Sequence, residues 1–376
     1  KLKDTFGFKG VNFGNWMKGD APAKVAERQL HLNHAYDAFL DLADILGVPP
    51  KAMSLNGMLG IAIGAQGGGK ALAHFVPGVN EINLTKTSGS GTLAHEWGHA
   101  LDHYFGNQAG FAGRRESWMS STVGKTGQEA TIRPEIREAF DAIMKAMKQR
   151  ELTPEDIKAR QEMRLASATT NFEKWINHFS RALNMANPSE KARAEFDKYA
   201  DKLRRGETGE MVRAKRGLSL SQNVALLRDA YKAAAPKDPG GVDNSNNWNG
   251  IDGAALRIMS AKDMDLQNAH HKPQFTDTEY QKESAAKDGA KKGKQYWSTP
   301  WEMFARGFEL WVSDQIAEKG NVNTFLSNAG QRVKMKDPQN PEKFAFPYPR
   351  EGERIAINDA FSKLIRAIET RATDRG

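Results

Sequence analysis

Thr92-Leu93-Ala94-His95-Glu96-Trp97-Gly98-His99-Ala100-Leu101-Asp102-His103-Tyr104-Phe105-Gly106 is the stretch on which the reading of this chain turns. Its apolar residues recur at helical spacing, Thr92 suits an N-cap, and Gly106 with Asn107 offers a stop after Tyr104. On a helix, residues four apart lie on one face, about 40° from each other, so the imidazoles of His95 and His99 can reach one ion. Glu96 stands beside the first of them, placed to act as general base on water that a zinc ion acidifies towards a pKa of ~7. With nine histidines in 376 residues, this pattern arises by chance in on the order of one chain in a hundred. The competing reading is a surface helix with two unconnected histidines. A turn-rich Ser88-Gly89-Ser90-Gly91 before the helix and apolar residues on its other faces argue against that.

A catalytic zinc site needs a third protein ligand and an open position. The long pattern that adds a third histidine requires glycine at 102 and histidine at 105, where this chain has Asp102 and Phe105. Asp102 reads instead as a partner that orients a ligating imidazole, and His103 as a solvated or capping histidine. The better source of the third ligand is Tyr296-Trp297-Ser298-Thr299-Pro300-Trp301-Glu302-Met303-Phe304-Ala305-Arg306-Gly307-Phe308-Glu309-Leu310-Trp311. Ser298 or Thr299 can cap a helix here, Pro300 suits its first turn, and Glu302 falls in that turn. A glutamate in a first turn commonly does no more than complement the helix dipole. Spacing alone therefore leaves both Glu302 and Glu309 open. Trp97, Trp297, Trp301 and Trp311 surround these motifs, and helix packing is their commonest use.

Composition narrows the chemistry. The chain has no cysteine, which removes disulfides, thiolate catalysis and thiolate zinc sites, and leaves His, Asp and Glu as metal ligands. That suits a reducing cytoplasm and is equally compatible with a protein delivered into a bacterial host cell. No apolar run approaches the roughly 20 residues that span a bilayer, so no membrane is expected. A formal charge of +8 makes nucleic acid a partner worth carrying, with small basic clusters at Lys202–Arg205 and Lys287–Lys294. The first residue is lysine, which fits a piece of a larger polypeptide.

Periodicity divides the chain into three parts. Residues 1–112 mix helix and strand: a helix over Ala23–Leu46, then short apolar runs at Leu59–Ile63, Leu72–Phe75 and Glu81–Leu84. Pro77-Gly78-Val79-Asn80 marks a hairpin turn between the last two. Residues 113–252 read as a polar, helical insertion that closes with the loop-like Pro236–Gly250. Residues 253–376 complete the metal site, with helices near 300–318 and 353–371. The expected class is α+β: a small, mostly antiparallel sheet against the active helix, with Glu81–Leu84 at its edge, and a large helical lobe.

His95-Glu96-Trp97-Gly98-His99-Ala-Leu-Asp-His-Tyr-Phe-Gly106 resembles the active-site helix of lethal-factor-type gluzincin metallopeptidases, and Glu302-Met-Phe-Ala-Arg-Gly-Phe308 is similar to the helix that supplies their glutamate ligand. The resemblance implies a zincin-like fold, His95, His99 and Glu302 on Zn2+, Glu96 as base, and Tyr296 as an aid to the tetrahedral intermediate. More of the chain, including Gly7–Met17, Ala35–Ala65, Ile82–Gly106, Ser298–Glu309 and Phe346–Phe361, resembles a large polyvalent-protein-associated domain of phages and conjugative elements. That resemblance implies a module of a longer protein acting in conflict between mobile elements and hosts, and it leaves the helical middle unexplained. The function expected is hydrolysis of peptide bonds in a protein substrate. Its rivals are a DNA-associated anti-restriction or binding module that keeps the scaffold only, and a protease acting on DNA-bound proteins.

Overall fold

The computed structural model describes residues 1–14, 18–64, 73–84, 91–111, 117–122, 124–125, 130–213, 219–262, 275–289 and 295–373. Most of the Ser88–Gly91 loop and part of the Lys287–Lys294 cluster lie outside them. The chain divides into two compact units, Lys1–Arg150 with Thr276–Gly376, and Glu151–Phe275. The second unit thus begins later and ends later than the 113–252 insertion. Residues 134–148 form a helix whose buried face (Ile136, Phe140, Ile143, Met147) belongs to the core of the first unit.

Unit 1 holds α1 (Leu2–Phe6), α2 (Pro22–Ile45), α3 (Leu93–Gly106) and α4 (Pro134–Lys148). Unit 2 is α5 (Pro154–Ala186), α6 (Glu190–Arg204), α7 (Gln222–Ala234) and α8 (Ser245–Lys262). The chain then returns to unit 1 with α9 (Glu279–Asp288), α10 (Pro300–Glu318), α11 (Ala329–Arg332) and α12 (Glu351–Thr373). The molecule is of mixed α and β class and helix-rich, and its sheets are small.

The main sheet has the order β1 (Val11–Phe13), β2 (Gly60–Ile63), β4 (Glu81–Leu84), β3 (Ala73–Val76). Only β3 and β4 run antiparallel, joined by the turn at Pro77–Asn80; β1 with β2 and β2 with β4 are parallel. The expectation of a mostly antiparallel sheet is therefore corrected. The crossover through α2 brings β2 alongside β1 in the same direction, and β4 enters between β2 and β3. For the same reason the edge is β3, and Glu81–Leu84 is an interior strand.

The helices of unit 1 pack on this sheet through one core that includes Phe6, Phe39, Ile61, Ile82, Phe140, Phe304 and Phe361. Two of them are enclosed. Every residue from Glu302 to Val312 of α10 is buried, as is α3 apart from His95 and Tyr104. Helices hydrophobic all round usually occupy such positions, so the charged residues on these two require an explanation. Gly98 permits the close approach of α3 to α10: a Cβ there would stand 3.0 Å from the Phe308 ring and 3.5 Å from the Ala305 Cα. Gly106 does the same for the next segment, since a Cβ would lie 2.1 Å from the Ser117 carbonyl oxygen.

Unit 2 is a helical body around Phe172, Phe179, Phe196, Tyr231 and Trp248. α5 runs unbroken across residues 168–169, where Pro or Gly punctuation is lacking. The Asn-rich stretch expected to be loop instead starts α8, with the Asn244 side chain accepting from the Asn247 N–H at 2.9 Å. Trp248 is consequently core and not exposed; its Nε1 donates to Asp243 at 2.9 Å. No helix of the described residues is long and apolar enough to cross a membrane.

Candidate metal centre

α3 and α10 place the candidate ligands. His95 and His99 occupy one face of α3, and Glu302 projects from the first turn of α10, with Thr299 at the N-cap position and Pro300 next. One ligand atom from each lies within 4.8 Å of the others. The individual separations are 3.2 Å between the two Nε2 atoms, 3.6 Å from His95 Nε2 to Glu302 Oε2, and 3.5 Å from His99 Nε2 to Glu302 Oε1. Two donors at about 2.05 Å from a tetrahedral zinc stand roughly 3.3 Å apart. The imidazole pair has that spacing, and each Glu302 oxygen approaches that spacing from one imidazole, so the residue types and their grouping fit such an ion.

The polar atoms around it are incompletely satisfied. His99 Nδ1, Glu302 Oε2, Arg306 Nη1 and Glu309 Oε1 are buried with no hydrogen-bond partner. Native proteins keep such atoms rare, because each costs about 1–3 kcal/mol. Four carboxylates, those of Glu96, Asp102, Glu302 and Glu309, are buried here; Arg306 stands 3.7 Å from Glu302 and Arg332 stands 3.5 Å from Glu309. Carboxylates thus outnumber guanidinium groups in this part of the core.

The protonation behaviour follows from the same shortage of positive charge. Burial alone would lower His95, but Glu302 and Glu309 outweigh it and push it up to about 10. Burial would likewise raise Glu302, yet the imidazoles of His99 and His95 hold its carboxyl well below the usual range. Glu96, next to the ligands and 5% exposed, is raised by burial against the pull of the two histidines, and it accepts a hydrogen bond from the Phe75 backbone on β3.

Tyr296 lies just before α10. Its backbone N–H, with those of Trp297 and Ser298, is held by the Asp288 carboxylate at 2.7–2.9 Å. Its hydroxyl interacts with Glu302 and feels Glu96; burial first and then these carboxylates raise it, so it stays protonated. The residue is half exposed, unlike the candidate ligands.

Asp102 does not orient an imidazole by hydrogen bonding. Its two oxygens accept from the Ser120 N–H (2.7 Å) and hydroxyl (2.6 Å), and His99 Nδ1 is left without a partner. Burial outweighs these bonds and pushes Asp102 up to about 6. His103 is buried and not solvated; its ring packs on Phe75 and Trp118. Trp118, for which the sequence offered no signal, also meets the His99 ring edge-on at 5.6 Å and stacks on Trp301 at 6.0 Å. Glu309, weighed as an alternative third ligand, approaches the other side of His95, with Oε2 3.7 Å from Nδ1.

A family model described as large polyvalent protein-associated domain 1 matches residues 288–372. The match includes Tyr296, Glu302, Arg306, Glu309 and Tyr348; the His95–His99 helix lies outside it. No curated protein and no solved structure matches the chain.

Proposed function

We propose that the chain is a zinc-dependent peptidase of gluzincin type, with His95, His99 and Glu302 as ligands and Glu96 as general base. The observation that carries the reading is the triad itself: two imidazoles and a carboxylate, one ligand atom of each within 4.8 Å of the others, in a buried, carboxylate-rich site. Two imidazoles and one carboxylate without thiolates suit zinc, and three protein ligands leave a coordination position open. Bound there, zinc supplies polarisation of the scissile carbonyl and acidification of water.

The chain's own residues do the rest. Glu96, a carboxylate made more basic by burial, takes the proton from the attacking water and returns it to the leaving amine. The Tyr296 hydroxyl donates to the developing oxyanion. The edge strand β3 offers the backbone along which an extended substrate can add, and the Phe75 bond to Glu96 ties that strand to the base. Trp118, Trp301 and Phe75 wall the site with aromatic surface. A role in conflict between mobile elements and hosts accords with the family match at 288–372.

The DNA-tether reading draws less support. In unit 2 lysines and arginines only slightly outnumber acids, and the expected basic cluster is internally paired, Arg204 with Glu173 and Asp201, Arg205 with Glu207. The deciding experiment measures zinc in the purified chain beside His99→Ala and Glu302→Ala. About one zinc per chain, lost in both variants, is expected. Its absence from the parent protein after refilling at neutral pH would overturn the reading, and its retention in Glu302→Ala would move the third ligand elsewhere. A mixed peptide library read by mass spectrometry then tests hydrolysis.

A further inference from the structure

Glu309 is completely buried, although a carboxylate taken out of water costs several kcal/mol unless it is well compensated. It sits seven residues after Glu302 on α10. Seven residues are nearly two turns, so the two carboxylates share a face and stand about 10 Å apart along the axis. The His95 ring bridges them. Its Nε2 faces Glu302 and its Nδ1 faces Glu309 Oε2 at 3.7 Å. An ion held on the Nε2 side is therefore out of Glu309's reach.

Glu309 is itself held from further along the chain. The Tyr348 hydroxyl, buried, donates to Oε2 at 2.8 Å, and Arg332 Nη1 stands 3.5 Å from Oε1. Tyr348 lies in the segment before α12 that Arg350 secures, donating to the carbonyls of Phe346 (2.8 Å), Tyr348 (3.1 Å) and Val333 (3.2 Å). The carboxylate thus has two supports behind it and one ring nitrogen in front.

We infer that Glu309 is a positioning residue for His95, supported by Tyr348 and Arg332. It accepts the Nδ1 proton, selects the tautomer whose Nε2 lone pair faces the triad, and fixes the ring's rotation. At 3.7 Å the contact is an ion-pair approach. The inference rests on the metal reading above, and it takes Glu309 out of the set of candidate ligands.

The test is zinc affinity of the full chain by chelator competition, corrected for the folded fraction, in the parent protein, Glu309→Gln and Tyr348→Phe. The glutamine is isosteric and keeps an oxygen for Nδ1 while removing the charge. It is expected to weaken zinc by about 10-fold, the lower end of what outer partners of ligating histidines contribute. Tyr348→Phe, which removes only the support, is expected to weaken it by a smaller factor and to speed zinc release. An affinity within two-fold of the parent in both variants would overturn the inference while leaving the metal site standing. Complete loss of zinc from a folded Glu309→Gln, with zinc retained in Glu302→Ala, would make Glu309 a ligand and overturn it too. No zinc in the parent protein would remove the metal reading itself.

Discussion

Both units have aromatic side chains in their cores, and they differ in the charge they enclose. In unit 2, Phe179, Tyr231 and Trp248 meet with ring centroids 4.3–6.0 Å apart, and their polar tips are satisfied: Tyr231 donates to Asp238 at 2.6 Å and Trp248 to Asp243 at 2.9 Å. Its one buried carboxylate among the described residues, Asp252, accepts from the Ser221 N–H and hydroxyl. Unit 1 encloses Glu96, Asp102, Glu302, Arg306 and Glu309 in a small volume. Of the buried side-chain atoms lacking a hydrogen-bond partner among the described residues, four belong to that group and His99, and one, Arg228 Nε, belongs to unit 2. Unit 2 is organised for packing. Unit 1 tolerates costs that packing alone does not explain, and such sites are where function is found.

Substitutions can break this contrast. Glu96→Gln in unit 1 is expected to lower kcat/KM for peptide hydrolysis by about 10²–10⁴-fold with zinc retained, which stopped-assay kinetics with metal analysis would read. Phe179→Ala in unit 2 is expected to cost about 3–5 kcal/mol in denaturant unfolding and to leave the zinc affinity of the folded protein unchanged. If zinc affinity fell with it, the two units would not be energetically separate.

pH offers a finer probe. The Asp102 carboxyl is raised from 3.8 to about 6 in the folded chain, so folding favours its protonated form. Its contribution is fully present below pH 3.8 and is lost as pH rises to about 6, an effect of roughly 3 kcal/mol. The stability difference between metal-free parent and Asp102→Asn should therefore change across that window and be flat above it. A constant difference from pH 4 to pH 7 would rule the titration out. The smallest effect sits in unit 2, where Thr153 and Asp156 cap α5 reciprocally at 2.9 and 3.2 Å. Thr153→Ala should cost about 1 kcal/mol in thermal unfolding, with no change in zinc content.

What the sequence revealed follows the range of the interactions. His95, Glu96 and His99 were legible because one helical turn sets their geometry, and the β3–β4 hairpin because its turn residues are local. The parallel pairing of β1 with β2 was not, since their registers meet across some fifty intervening residues. Glu302 and Glu309 share a helical face, so periodicity could not say which of them faces Nε2 of His95; the depth of α10 against α3 decides it. The partner of Asp102 was not legible, because Ser120, which binds its oxygens, comes from a segment without a periodic pattern. The Asn-rich start of α8 looked like loop because those residues favour turns in isolation.

The separation of the triad along the chain bears on how it is made. His99 and Glu302 are about 200 residues apart, and the whole of unit 2 lies between them. At ~5–20 residues per second of synthesis, roughly 10–40 s pass between the emergence of the second histidine and of the glutamate. During that interval the nascent chain has two imidazoles, no third donor, and no α10 against which α3 can bury them. A product cut short anywhere before α10 carries the His-Glu-x-x-His motif yet cannot assemble the centre. Synthesis through α10 is thus a condition for assembling the triad, and under the proposed function a shorter fragment would be inert.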